Sequence, residues 1–315
     1  LGGIGTASAK LILFGEHAAV YGHPAVGMAL PESTTTNLFG KSADAWNVEN
    51  IPREDRATVL EVLDRIERLL PIEPQRVRCS VQVSSNVPRG LGFGSSAALC
   101  GAFARALVGR DGNSAWELAH AAERLFHGTP SGVDTGLSLM EGMCAVFPQP
   151  GGLPRAERLP PAPLWLVVAA VARNGACGAL VARLAARMNE GDPAALAAVN
   201  ALGAIARAAL QALREPVGAD LASRVARLAD DAMEHLRGVG LANPAQDRLL
   251  ATGKRAGALG GKLSGAGAGG AFFFIAADEE SARSVARSVD AEAREQGIPL
   301  GAPVKVISAA GAHVT

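Results

Sequence analysis

Between Val77 and Ser84 apolar and polar residues alternate, with Val77, Cys79, Val81 and Val83 on one side and Arg78, Ser80, Gln82 and Ser84 on the other. This is the period of a half-buried strand. A glycine-rich stretch, PRGLGFGSSAA from Pro88 to Ala98, comes next, and the proline-free apolar run Ala97–Val108 predicts a helix after it. Further strands are predicted up to Phe14 and over Cys144–Phe147, Leu164–Val171, Ala271–Ile275 and Val304–Ile307. Asp55–Leu70 reads as an amphipathic helix, with Val59, Val62, Leu63, Ile66, Leu69 and Leu70 on one face and Pro71 and Pro74 closing it. Helices are also expected from Asn113 or Ser114 to Phe126, and over Gly178–Met188, Pro193–Leu213, Asp220–Leu236, Ala242–Arg255 and Glu279–Glu295. Asp192 followed by proline is a start signal for the second of these five. Residues 31–53 are polar and read as an irregular excursion with an edge strand. The Pro/Gly-rich stretch Pro148–Pro163 reads as a crossing between two halves. Strands and helices interleave on both sides of it, so the class is α+β, in two domains at 1–155 and 156–315.

The chain has 315 residues, enough for a substantial core. Thirty Lys and Arg balance thirty Asp and Glu, so no global field recruits nucleic acid or an anionic membrane. A polyanionic ligand would have to be neutralised locally. The cysteines Cys79, Cys100, Cys144 and Cys177 are far apart, without metal spacing, and read as reduced thiols. No signal peptide or apolar span of about 18 residues is apparent, which predicts a cytoplasmic protein with no membrane partner.

Several residues could carry chemistry. Gly90, Gly92 and Gly94 lack the β-carbon that keeps a ligand off the backbone, and a helix follows them at once. The free N–H groups and dipole of that helix end make a seat for phosphate; a serine-capped turn is the plainer alternative. The stretch is not a Walker loop or a dinucleotide fingerprint, since the required lysine and third glycine are missing. Lys10 sits among Leu11, Ile12 and Leu13, which is uncommon unless its ammonium finds a partner or reaches solvent. Glu16 and His17 could be no more than the polar rim of a turn. Glu123 falls near the carboxyl end of a helix, where negative charge is disfavoured, so it is either solvated or met by a metal or lysine. Asp134 lies in the turn HGTPSGVD (His127–Asp134), and such turns are commonly structural. A second glycine cluster, Gly260–Gly270, carries more glycines than a hairpin needs and suggests backbone pressed against a ligand or another loop. Trp46 and Asn47 are candidates for a base wall or simply for burial.

Four stretches in order, SAKLILFGEHAAVYG, PRGLGFGSSAA, ERLFHGTPSGVDT and KLSGAGAGG, resemble the GHMP kinases, and the third points to the mevalonate kinase branch. The resemblance implies a two-domain GHMP kinase-like fold with the active site in the interdomain cleft. An ATP-binding domain would occupy 1–155 and a ferredoxin-like domain 156–315. It implies ATP and Mg²⁺ as cofactors and mevalonate as the small-molecule substrate, and leaves a homodimer open. Asp134 and Lys10 would flank the accepting hydroxyl, with Glu16 and His17 also on the substrate. The nucleotide would lie on Pro88, Arg89, Gly90, Leu91, Gly92, Phe93, Gly94, Ser95, Ser96 and Ala97. Ser264, Gly265, Ala266 and Gly267 would close over its phosphates, and Ser96 and Glu123 would bind the metal. The chain departs from the family pattern at Ser8-Ala9, Phe93, Ala268 and Cys177-Gly178. Ala268 is expected to be strained if its position needs positive φ. Another GHMP small-molecule kinase, or a non-catalytic ligand sensor on this fold, are the alternative readings; a sensor would not need Lys10, Asp134 and Glu123, and all three are present.

Overall fold

The computed structural model describes residues 3–70, 77–109, 112–127, 130–149, 152–173 and 177–310. The chain opens with two long antiparallel strands, β1 (Gly3–Phe14) and β2 (Ala25–Phe39), paired from Gly3↔Leu38 to Phe14↔Val26. Residues 31–39, expected to be irregular, are therefore the second half of a central strand. Glu32, Thr34, Thr36 and Leu38 are buried while Ser33, Thr35 and Asn37 are less so, but both faces carry polar side chains, which hides the alternation. β-branched threonines favour the pleated backbone, and their hydroxyls bond across it: Thr6 to Thr35 at 3.0 Å and Thr34 to Ser85 at 2.8 Å.

β3 (Asn47–Glu49), α1 (Arg53–Glu67), β4 (Ser80–Ser85), α2 (Ser95–Val108), α3 (Gly112–His127), α4 (Val133–Leu139), β5 (Met143–Phe147) and β6 (Arg155–Arg158) complete the first half. β1 takes one edge of β2, so β5 and β4 must share the other, giving the order β3-β4-β2-β5-β6. Cys144 to Phe147 pair with Arg158 to Arg155. Residues 156–158, assigned to the second half on sequence, thus belong to the first sheet.

The second half runs β7 (Trp165–Val171), α5 (Cys177–Asn189), α6 (Pro193–Arg214), α7 (Leu221–Gly238), α8 (Pro244–Arg255), β8 (Gly260–Leu263), β9 (Gly270–Ala276), α9 (Glu279–Glu295) and β10 (Leu300–Ser308). Its sheet is antiparallel in the order β10-β7-β9-β8. That is a ferredoxin-like arrangement. Asp192 caps α6 by accepting from the N–H groups of Ala194 and Ala195, as the Asp-Pro signal predicts. Contrary to the expectation of no long apolar span, α6 is 22 residues long and apolar enough to cross a membrane. More than half of its apolar window (56%) is buried, and Val199, Leu202, Ala206, Leu210 and Leu213 pack into the core. It is a core helix.

The two halves are fused. One cluster joins Leu11, Leu13 and Phe14 of β1 and Val26 of β2 to Leu166 and Val168 of β7 and Phe273 and Ile275 of β9. Each such side chain contributes roughly 1.5–3 kcal/mol by leaving water, so the halves do not part cheaply. Where β8 turns into β9, Gly265, Gly267, Gly269 and Gly270 all have positive φ, and Ala268 lies among them at φ 58°. Its N–H donates to the Leu241 carbonyl at 3.0 Å, which pins the conformation. A β-carbon in that region costs about 1–2 kcal/mol, partly offset by glycine's greater loss of freedom on folding. Ala268→Gly is therefore expected to stabilise the protein by about 0.5–1 kcal/mol, read as a higher urea midpoint at unchanged slope.

Candidate active site

The site grows from one side chain. A register irregularity between Ser8 and Lys10 breaks β1, and Lys10 is left only 2% exposed between the sheet and the glycine loop. An ammonium so placed needs a counter-charge. Asp134 supplies it: Lys10 Nζ lies 2.7 Å from Asp134 Oδ1. Asp134 stands in the first turn of α4, two residues after Gly132, whose φ is 76° and whose missing β-carbon would strike Pro154 and His120. Two segments more than a hundred residues apart thus meet where the resemblance requires it. Asp134 keeps 28% of its side chain exposed, against 3% for Lys10. The carboxylate is the open member of the pair.

The loop Pro88–Ser95 is built against Lys10. Gly90, Gly92 and Gly94 have φ values of 72°, 88° and 76°. A β-carbon on Gly94 would come 2.8 Å from Lys10 Cγ, so glycine is needed there for space as well as for φ. The Lys10 N–H donates to the Phe93 carbonyl at 2.9 Å. α2 begins at Ser95 with no side-chain cap, leaving first-turn N–H groups for an anion. Three residues of the expected nucleotide loop contribute backbone and not side chain to it. Leu91 and Phe93 are buried in the shared core, because alternate positions of the loop turn inward, and Ala97 is wholly buried on the inner face of α2. Arg89 is exposed and holds Asp55 of α1 at 2.6 Å.

Beside the loop lies a cavity of about 450 Å³ walled by Asn50, Pro52, Thr58, Gly90, Ser95 and Ser96, among others. Trp46 and Asn47 do not line it. Trp46 is buried with Nε1 donating to Glu67, and Asn47 bonds Glu49 and Ser80. Asn50, Ile51 and Pro52, just downstream, line the cavity in their place.

Glu123 on α3 is 1% exposed. Burial, then the negative charge of Asp134, hold its carboxyl well above the usual range, while Lys10 pulls the other way. Two carboxylates therefore share one ammonium, while Ser96 lies on the wall of the cavity. No three His, Cys, Asp or Glu side chains form a cage among the described residues. That fits Mg²⁺, a hard ion that takes few protein ligands and completes its shell with water and phosphate.

The second half closes the site differently from expectation. Ser264 is fully buried; its hydroxyl donates to the Ile12 carbonyl at 2.8 Å and accepts the Ile12 N–H at 3.1 Å. It ties β8 to β1 and is not free to touch phosphate, which leaves the half-buried Gly265 and Ala266 as the more open part of that loop, with Gly267 buried behind them. Glu16 does not face an open site either. It is buried against Lys262, itself 0% exposed, whose ammonium also donates to the Leu263 carbonyl at 2.7 Å. Burial raises the Glu16 carboxyl and lowers the Lys262 ammonium, each opposed by the other's charge. His17 sits at φ 60° with its ring against the backbone of Gly265 and Ala266. Burial, with the Lys262 charge, pushes its imidazole down to about 4.

One residue escaped the sequence reading. Arg173, two residues past β7, lies between the glycine loops: its guanidinium is 2.9 Å from where a β-carbon on Gly92 would stand and 2.7 Å from one on Gly270. Its Nε is buried without a partner among the described residues. The signal in the sequence is a cation just after an apolar strand. Cys177 and Gly178, where the family pattern is broken, open α5, and the Cys177 side chain lies outside the described residues, as does that of His127.

Two glycine loops facing a lysine–carboxylate pair across fused sheets define a class of protein built to hold a phosphorylated ligand. Known proteins agree. The GHMP kinases N terminal domain profile matches residues 57–142 and the GHMP kinases C terminal profile residues 195–295. The mevalonate kinase of Methanothermobacter thermautotrophicus is 30% identical over 278 residues, covering 84% of this chain and 87% of that protein. That of Pyrococcus horikoshii is 28% identical, covering 94% of each. Among solved structures, L. major mevalonate kinase in complex with R-mevalonate shares the fold at a TM-score of 0.76, with 23% identity over 92% of each chain. Streptococcus pneumoniae phosphomevalonate kinase shares it at 0.74, with 15% identity over 91% of this chain and 96% of that one. The chain belongs to the GHMP kinase family.

Two outcomes follow from the buried ion pair and its neighbour. Lys262→Ala strands a buried carboxylate and is expected to cost about 3–5 kcal/mol in urea unfolding, most of it recovered in Glu16→Gln/Lys262→Met. His17 binds a proton near pH 6.5 when unfolded but only near pH 4 when folded. As pH falls through that window the unfolded state gains protons first, so the native protein loses stability. Relative to His17→Asn, the wild type should therefore lose on the order of 2–3 kcal/mol between pH 6.5 and 4.

Proposed function

We propose that this chain is a mevalonate kinase, transferring the γ-phosphoryl group of ATP to the 5-hydroxyl of mevalonate. The observation that carries the reading is the Lys10–Asp134 pair at 2.7 Å, set against the loop at Gly94 with its carboxylate open. The mevalonate kinase relatives, which match over most of the chain, support the choice of acceptor. ATP seats its phosphates on the backbone of Gly90–Ser96 and its nucleoside in the cavity walled by Asn50, Pro52 and Thr58. Gly265–Gly267 face the phosphates from the other sheet.

Phosphoryl transfer asks a protein chiefly for alignment and neutralisation of charge. The hydroxyl oxygen attacks the γ-phosphorus, the bond to the β–γ bridging oxygen breaks, and ADP leaves. Asp134 accepts the hydroxyl proton, and Lys10, held at the same carboxylate, faces the developing negative charge. Arg173 supplies a second cation, from the opposite sheet, where the two glycine loops converge. Ser96 and Glu123 would hold Mg²⁺, which would supply positive charge to neutralise phosphate oxygens. Glu16, His17 and Lys262 act on the substrate by fixing the loop that carries them. The protein works in the cytoplasm, a reducing setting in accord with Cys79, Cys100 and Cys144 being buried free thiols.

ADP release should depend on mevalonate and Mg²⁺, and of a panel of mevalonate, phosphomevalonate, homoserine and galactose only mevalonate should support it. Asp134→Ala is expected to lower kcat at least about a hundredfold while nucleotide binding by calorimetry persists. Activity in that variant within tenfold of wild type would remove the mechanism. Arg173→Gln should lower kcat/KM for ATP by about 10²-fold and leave the urea midpoint within error, since its buried Nε has no hydrogen bond among the described residues to lose.

A further inference from the structure

Arg89 and Asp55 both line the cavity beside the first glycine loop, and their ion pair at 2.6 Å joins that loop to the first turn of α1. Arg89 is largely exposed, and a pair of this kind adds little to stability. Its place matters more than its strength. The cavity wall is of two kinds. Gly90, Ser95 and Ser96 give it backbone and hydroxyl groups, whereas Ile51, Val59, Leu99 and Phe126 give it an apolar surface. Phe126, near the end of α3, is a large ring that the core leaves 37% exposed. The ion pair bridges the two kinds of wall: Arg89 immediately precedes Gly90, and Asp55 shares a face of α1 with Val59, four residues on. Arg89 occupies only Oδ2 of Asp55, and Oδ1 accepts from no described residue. The hydrogen bond from Arg89 holds the Asp55 carboxyl below the usual range. The spare oxygen is therefore an anionic acceptor throughout neutral pH.

We propose that Asp55 is the specificity residue for the nucleoside sugar, accepting the vicinal hydroxyls of a ribose whose base stacks on Phe126. A nucleotide with its phosphates on the glycine loop and its base on the apolar wall places its sugar between them, where the ion pair bridges the two. The 2′- and 3′-hydroxyls are two donors, and a carboxylate with an oxygen to spare is their natural acceptor. Bonds to an ionised acceptor are about twice as strong as neutral ones, so a deoxy sugar forfeits real affinity. A lone carboxylate beside a polyphosphate would repel it. Arg89 removes that penalty by neutralising Asp55 from the loop side. The stacking surface accepts any base, so the selectivity assigned here is for the sugar. The proposal rests on the nucleotide reading above and deepens it.

The test is calorimetric titration of the whole chain, with Mg²⁺ present, by ADP, 2′-deoxy-ADP, 2′,3′-dideoxy-ADP and pyrophosphate. ADP should bind at least about tenfold more tightly than the dideoxy nucleotide, with 2′-deoxy-ADP between them. In Asp55→Ala that ratio should fall to within about twofold, and in Asp55→Asn, which keeps the shape and loses the charge, it should lie between. Neither variant should weaken pyrophosphate. Phe126→Ala should weaken ADP and dideoxy-ADP by a common factor of about ten and spare pyrophosphate. Asp55 and Phe126 both retain exposed surface, so these variants are expected to keep the wild-type urea midpoint. Wild type that does not discriminate between ADP and dideoxy-ADP would overturn the ribose assignment. So would a ratio that survives in Asp55→Ala, or a loss there shared equally by ADP, dideoxy-ADP and pyrophosphate, since Asp55 would then serve only to hold Arg89. Undiminished ADP affinity in Phe126→Ala would overturn the stacking. Wild type that binds pyrophosphate but gains nothing from the nucleoside would overturn the proposal alone, whereas failure to bind either ADP or pyrophosphate would overturn the nucleotide reading and the proposal with it.

Discussion

A lysine buried in a strand that is covered on both faces is the constraint around which this structure is arranged. The Lys10 ammonium is withdrawn from water in that setting and needs a carboxylate at contact, which Asp134 provides at 2.7 Å. To reach Asp134 the lysine stem must cross the glycine loop, and it can do so only because Gly94 has no side chain in its way. The loop is locked in turn to β1 through the Phe93 carbonyl. A single buried charge therefore sets the strand irregularity, the glycine at the helix entrance and the left-handed turn that opens α4. Catalytic alignment and local stability draw on the same contacts.

The second sheet repeats the device with opposite emphasis. Lys262 and Glu16 are both withdrawn from water, and burial works against the charge of each. Their mutual attraction, with the Ser264–Ile12 hydrogen bonds beside it, joins β8 to β1. This pair holds loops, whereas the Lys10–Asp134 pair offers a reactive edge. Exposure separates the two roles: Asp134 is 28% exposed and Glu16 only 2% by side chain. The shared core behind both pairs makes the two halves one mechanical unit, so a ligand between the glycine loops meets a preformed seat.

Charge placement around Glu123 adds a further level. A carboxyl raised by burial and by its neighbour Asp134 is poorly suited to ionise on its own. It becomes well suited beside a divalent cation and a polyphosphate, whose charges invert the local balance. The carboxylate at an unfavourable helix end, an oddity of local sequence, is met inside the fold by the Lys10 charge and a Thr135 hydrogen bond.

Much of this was legible along the chain because it is local. The alternation at Val77–Ser84, the Asp-Pro cap of α6, the glycine spacing ahead of α2 and the tension at Ala268 all follow from a residue and its near neighbours. What failed was of two kinds. β2 was missed because threonine and serine on both faces erase the contrast that marks a half-buried strand. Ser264, Glu16 and Arg173 were misassigned or overlooked because their partners, Ile12, Lys262 and the two glycine loops, are distant in sequence. A polar side chain's role depends on whether it ends facing solvent, ligand or a buried counter-charge, and no local pattern encodes that. The amino-acid order by itself determined most of the elements, the glycine loops and the family; only tertiary packing decided which charged groups were closed into struts and which was left open, since burial is a property of the assembled core.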